Sequence, residues 1–343
     1  MSTMNQPREN EITTIKALEQ CVGKTPGPRD LKVIDFLDER ALNWLSHSPC
    51  LFVSLAGKAG DSVQVLIAAG EAGFIKGNAH NLVIPLKSID HPEGINQGDG
   101  WGSLFVVPSL KESLRVNGTV SSVSDSEVTI EVSECYLHCA KAFMRSELWK
   151  DFDETVTVNS EQEFCALTRF MLVATSDDQL RADLSPKGAP PGKLLHIGDD
   201  FAWYSDRPGN RRVDGFRNIL TQPKIEILAL MAGSSQLLRL RGKAVLFSEH
   251  PQKSYFSVNK KDPHLVVKIE TESIELGMSS ALERAKLWPP APVDMKYKAS
   301  EIWQAHMKLS KVKGLEATLA KTAISVPGVL EKGLDWDYKN NLY

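Results

Sequence analysis

The 343-residue chain lacks any apolar run approaching the ~20 residues that cross a bilayer as a helix, and its longest, such as Ile225–Ala232, stop well short. Residues 1–10 are polar, unlike a secretory leader. Neither sign of charge dominates. Lys and Arg number 40 against 43 Asp and Glu, a net charge of −3, so the broad basic field used in nonspecific nucleic-acid binding is missing. The cysteines are Cys21, Cys50, Cys135, Cys139 and Cys165, an odd and small set that argues against a disulfide framework and for a reducing compartment. No Rossmann glycine fingerprint and no nucleophile elbow occur, which disfavours a dehydrogenase or serine hydrolase. The expectation is a cytoplasmic protein with neither membrane nor nucleic-acid partner.

What is present suffices for folding, since 42% of residues are hydrophobic and 24% charged, near the globular average. The length exceeds the roughly 100–200 residues of one domain and predicts two compact units. Internal similarity supports this. Residues 128–149, VTIEVSECYLHCAKAFMRSELW, align with 267–288, VKIETESIELGMSSALERAKLW, sharing Val, Ile, Glu, Leu, Ala, Arg, Leu and Trp at matching positions. Upstream, Leu114–Gly118 faces Leu238–Gly242, and Phe52–Ala56 faces Phe170–Ala174, in the same order. About 15 residues are inserted between the last two blocks of the second copy, and they are polar.

Each copy reads as a short helix, several strands and a final strand followed by a helix. In the second, Ser160 and Glu163 have capping-box spacing before the apolar run Phe170–Ala174. The stretches Asp200–Tyr204, Ile225–Met231, Gln236–Phe247 and Leu265–Glu270 are β-rich. Strands so close in sequence pair antiparallel. The predicted class is mainly β with flanking helices (α+β), as two antiparallel barrels side by side. Beyond them Ile302, Ala305, Leu309 and Val312 share one helical face within Ala299–Lys321, followed by Pro327 and Gly328 without clear periodicity, which predicts a docked helical tail.

Two basic stretches carry the chemistry. ADLSPKGAPPG (182–192) and YSDRPGNRR (204–212) place Lys187, Arg207, Arg211 and Arg212 among prolines and glycines. Arginine forks bind phosphate oxygens through charge-assisted hydrogen bonds, and glycine lets backbone N–H groups approach. A solvated basic turn has the same composition. His138, Lys141 and Arg145, spaced by three and four, would present a titratable imidazole and two cations on one helical face, unless the histidine is structural and the cations solvated.

The segments SPKGAPPG, SDRPGNRRVDGFRNIL, LRVNG and HCAKAFMRSELW resemble those of the pyridoxamine 5'-phosphate oxidase-like flavoproteins. The likeness covers about residues 48–150 and 160–290. It implies FMN-binding split β-barrels that pair, with FMN in the cleft between them, so that this chain forms an intrachain pseudo-dimer. The implied organisation is an N-terminal extension (1–30), a first split barrel with a degenerate phosphate site (31–150), a second holding the FMN phosphate (151–290) and a helical tail (291–343). The implied cofactor contacts are Ser185, Lys187, Arg207, Asn210, Arg211 and Arg212, with Tyr204, Asn218 and Arg145 supporting the site. Tyr204 alternatively packs in a core, and Asn218 forms a turn.

The two copies have lost complementary parts. Where the second has YSDRPGNRR the first has Ile84–Asp90 without an arginine pair, and where the first has His138–Lys141 the second has Gly277–Ser280. One complete cleft therefore remains, with His138 and Lys141 as catalytic candidates. The resemblance implies an FMN-dependent oxidoreductase acting on a small organic substrate or a nicotinamide donor such as NAD(P)H, with homodimerisation through the tail compatible with it. The alternative is a non-catalytic flavin- or haem-binding protein.

Overall fold

The computed structural model describes residues 8–24, 31–57, 63–150, 157–209, 212–312 and 328–343. After α1 (Ile15–Val22) the chain builds the same unit twice. The first comprises α2 (Glu39–His47), β1 (Cys50–Ala56), β2 (Val63–Ala69), β3 (Lys76–Gly77), β4 (Asn81–Pro85), β5 (Gly100–Val106), β6 (Ser113–Val123), β7 (Glu127–His138) and α3 (Lys141–Ser146). The second comprises α4 (Glu161–Leu167), β8 (Phe170–Ser176), β9 (Ala182–Gly188), β10 (Leu195–Ile197), β11 (Phe201–Ser205), α5 (Asp214–Thr221), β12 (Lys224–Leu230), β13 (Gln236–Phe247), β14 (Val266–Met278) and α6 (Ser280–Ala285). α7 (Ala299–Leu309) and α8 (Val329–Asn340) follow.

The strand orders are β2-β1-β5-β6-β7-β4-β3 and β9-β8-β12-β13-β14-β11-β10. Substituting each strand by its counterpart turns one order into the other. Even the irregularities repeat, because register shifts fall at Asn117/Gly118 in β6 and at Arg241/Gly242 in β13. A Cβ on Gly118 would lie 2.0 Å from the Glu131 carbonyl, and one on Gly242 2.3 Å from that of Glu270. The bulge requires glycine at both places. The chain is a tandem pair of antiparallel split barrels with flanking helices.

β1 and β8 are buried on both faces, which is why each reads as a continuous apolar run instead of an alternating one. Leu51, Val53 and Leu55 enter the first barrel's core, Met171 and Val173 the second's, while Phe52, Phe170 and Leu172 meet in a third core between the barrels. Val65, Leu104, Leu184 and Leu228 complete that seam. Buried charge crosses it as well. Arg115 on β6 lies 2.7 Å from Asp183 on β9, and Glu226 on β12 accepts from the Val65 N–H at 3.2 Å, from Arg241 at 2.8 Å and from Arg239.

Two parts depart from expectation. Ser185–Gly188 belongs to a strand and not to a turn; among the described residues β9 pairs only with β8, and an edge strand tolerates Pro186, which has no N–H to donate. α7 ends at Leu309; Ile302 of the expected face is buried, but Leu309 and Val312 are exposed and His306 and Met307 are buried in their place. The cause is tertiary: His306 Nε2 lies 3.3 Å from Asp38 Oδ1, and Trp303 covers the Lys32 ammonium at 4.2 Å. Residues 313–327 of the expected tail, with Lys321 and Pro327, lie outside the described residues. No helix among the described residues is long and apolar enough to cross a membrane.

Candidate functional site

A cavity of about 560 Å³ opens where the back of the first barrel meets the front of the second. The second barrel supplies β9, whose Asp183, Ser185 and Lys187 alternate outward from buried Ala182, Leu184 and Pro186. Period two places these three on one face. The Lys187 ammonium stands 4.6 Å from the centre of the Phe216 ring and 3.7 Å from Asp206. Tyr204, from β11, is fully buried, and burial pushes its phenol up.

Arg207 follows β11 and donates to the Lys193 carbonyl at 3.2 Å, while its buried Nε has no partner. Burial, with the nearby Arg145 charge, pushes its guanidinium down to about 10, so it stays charged at neutral pH. Arg212 joins the barrels. It donates to Asp214 at 2.5 Å and to Glu134 of β7 at 3.4 Å, and its guanidinium lies 4.4 Å from the Tyr136 ring centre. Asn218 does not line the cavity; it donates to Thr175, which does, at 3.1 Å. Asn210 and Arg211 lie outside the described residues.

The first barrel supplies the end of β7 and α3. His138 is drawn well below the usual imidazole range, mainly by burial and then by the Arg115 and Lys32 charges. It is therefore neutral near pH 7, with Nδ1 3.3 Å from the Cys139 carbonyl. Lys141 is 3% exposed and sits 2.9 Å from Asp337 of α8. Arg145 donates to the Leu342 carbonyl at 2.5 Å and to that of Pro208. The barrels approach closely here, since a Cβ on Gly188 would lie 1.9 Å from the Ala142 carbonyl; glycine is required for the cleft to form.

All the predicted residues except Asn218 that lie within the described chain thus surround one cavity. Others also line it: Cys21 of α1, Asp206, His264, Asp337 and Asn341. Asp206 stood within a motif already singled out by sequence. Cys21, His264, Asp337 and Asn341 carry no local signal, because helices and loops remote in sequence bring them there.

On the opposite seam the chain fills its own cleft. Ser279, Ser280 and Arg284 are the counterparts of Ala140, Lys141 and Arg145, and they meet Asp90 of the first barrel. Its carboxylate accepts from Ser279 at 2.6 Å, Ser280 at 2.8 Å, the Ala281 N–H at 3.0 Å and Arg284 at 3.4 Å. Burial alone would raise the Asp90 carboxyl, but the Ser279, Ala281 and Ser280 hydrogen bonds and the Arg284 charge outweigh it and hold it below the usual range. Such a group stabilises the fold above the unfolded-state value of ~3.9, and the contribution is lost as pH falls through the lower folded-state value. Asp90→Ala should cost about 1–3 kcal/mol at pH 7. The gap from wild type in urea denaturation should close toward pH 2; a gap independent of pH would show that the carboxylate charge is not what matters.

Residues 160–281 match the Pyridoxamine 5'-phosphate oxidase family. The matched residues make up most of the second barrel, and the first repeats its strand order, so the chain joins a split barrel that matches this family to a second unit of the same topology. No curated protein sequence matches the chain. Among solved structures it is similar to HupZ of Group A Streptococcus (22% identity, 36% of this chain and 96% of that one, TM-score 0.29). It is also similar to a general stress protein 26-related member of the pyridoxinephosphate oxidase family from Clostridium acetobutylicum (15%, 34% and 84%, 0.27). A third likeness is to HutZ, the heme storage protein of Vibrio cholerae (11%, 34% and 89%, 0.24).

Proposed function

We propose that the cavity binds one FMN per chain and that the protein is an FMN-dependent oxidoreductase acting on a small organic substrate or a nicotinamide donor. One observation carries this reading: the basic segment of the second barrel and the basic segment of the first, each absent from the other copy, line the same cavity. Lys141, Arg145, Lys187, Arg207 and Arg212 outnumber the lining carboxylates Asp206 and Asp337, which suits an anionic ligand, and the volume lies within the roughly 300–1,000 Å³ of small-molecule sites. The orphaned, buried Nε of Arg207 is a donor in want of an acceptor.

Lys187, Arg207 and Arg212 would hold the phosphate, with Ser185 beside them on β9 and Tyr204 and Asn218 fixing the wall behind. Bound flavin would supply the electron transfer, and the protein the binding, orientation and electrostatics. Arg145 adds positive charge from the first barrel, which favours the electron-rich form of the cofactor, while the charge of Lys141 is offset by Asp337. If Nδ1 of the neutral His138 donates to the Cys139 carbonyl, Nε2 is left as an acceptor for a substrate proton donor.

The purified protein should show a flavin spectrum and release close to one FMN per chain on denaturation, and NAD(P)H or an organic donor should bleach the bound flavin. A ratio near two would overturn the single composite cleft. Failure to bind added FMN, or a haem spectrum in its place, would overturn the flavin reading.

A further inference from the structure

α8 has no fully buried side chain among its described residues; it packs Leu330 against the Leu31 and Met307 cluster and brings Asp337 to the cavity. Its polar contacts converge on the basic segment of the first barrel. Asp337 lies 2.9 Å from the Lys141 ammonium, Arg145 reaches the Leu342 carbonyl at 2.5 Å, and the Tyr343 ring centre is 5.7 Å from the Arg145 guanidinium. Lys261 of the second barrel donates to the Tyr343 carbonyl at 3.1 Å. The Lys141–Asp337 pair is asymmetric, for the lysine side chain is 3% exposed and the aspartate 32%. The ammonium is thus withdrawn from water and held by a carboxylate that still faces the opening, and both line the cavity.

A buried ammonium needs an anion beside it, and one attached to the same chain competes with ligands at a high effective concentration. We propose that Asp337 determines the charge specificity of the cleft: as a tethered counter-anion it closes Lys141 to anionic groups, so the cleft takes one anion, at Lys187, Arg207 and Arg212, and the uncharged part of its ligand or substrate at the first-barrel end. This rests on the reading that those three cations form the anion site. The substrate class that follows is uncharged or cationic where it meets Lys141, and a second phosphate or carboxylate is rejected there.

Phosphorus NMR titration of the cofactor-free protein with inorganic phosphate tests the assignment. Wild type should take one equivalent, as should Asp337→Glu, which keeps the carboxylate. Asp337→Asn should take two, the additional one bound at least roughly tenfold more tightly than any second phosphate on wild type. The double variant Asp337→Asn/Lys141→Met should return to one. If α8 leaves its place in Asp337→Asn, Lys141 is equally released and the second equivalent should still appear. One equivalent in Asp337→Asn, or a second that persists without Lys141, would overturn the proposal. FMN titration of the same proteins separates the two readings. FMN failing to bind while the phosphate count changes as stated removes the flavin assignment alone; FMN binding with an unchanged count removes the role of Asp337 alone.

Discussion

Replacing Lys187 by Met together with Arg207 by Ala is expected to weaken FMN binding by roughly 10²–10⁴-fold, since each removes a charge-assisted contact worth about 1.5–3 kcal/mol. Stability should change little. Among the described residues Lys187 meets Asp206 only at 3.7 Å and the Phe216 ring at 4.6 Å, and Arg207 donates one hydrogen bond, to the Lys193 carbonyl, while its Nε donates none. The fold asks little of either cation. Riboflavin, which has the ring and ribityl chain of FMN without the phosphate, provides the control, and its affinity should be nearly unaffected. Fluorescence titration with both ligands decides the matter: equal losses for FMN and riboflavin would mean that these cations do not hold the phosphate.

Arg115→Leu should produce the largest loss of stability, about 3–5 kcal/mol, because it strands a carboxylate in the seam between the barrels. Arg115 is 1% exposed and its partner Asp183 13%, and the guanidinium also donates to the Leu184 carbonyl. Taking both charges away is a different experiment from taking one. Arg115→Leu/Asp183→Leu should recover most of the loss, since a matched apolar pair removes the desolvation cost with the attraction. Guanidinium denaturation of the two variants provides the measurement. A double variant no more stable than Arg115→Leu would show that the pair itself, and not the stranded charge, holds the seam. Arg115 also helps keep His138 neutral, so the single variant should raise the imidazole pKa in an NMR titration.

The duplication was legible because its signals are local. Glycine recurs at both bulges, since a Cβ there would strike the carbonyl of the neighbouring strand, and Trp149 and Trp288 recur at the ends of the paired blocks. The complementary loss of basic segments was equally visible, as two stretches with different charge at matching places. Asp90 was visible only as a residue of a segment without arginines; that its carboxylate occupies the place opposite Ser279, Ser280 and Arg284 follows from the pairing of the two barrels.

The sequence by itself determined the repeat, the strand-rich class and the basic segments, because period-two burial, bulge glycines and clustered arginines are imposed by neighbours within a few residues. Tertiary structure alone decided that Ser185–Gly188 is an edge strand, that α7 buries His306 in place of Leu309, and that Asp337 meets Lys141 across 196 positions of chain. In each case the deciding partner is distant: β8 supplies the ladder that Pro186 can join only from outside, Asp38 satisfies the imidazole, and a buried ammonium draws in a carboxylate. Such partners are selected by burial and charge balance in three dimensions, and local sequence periodicity carries no record of them.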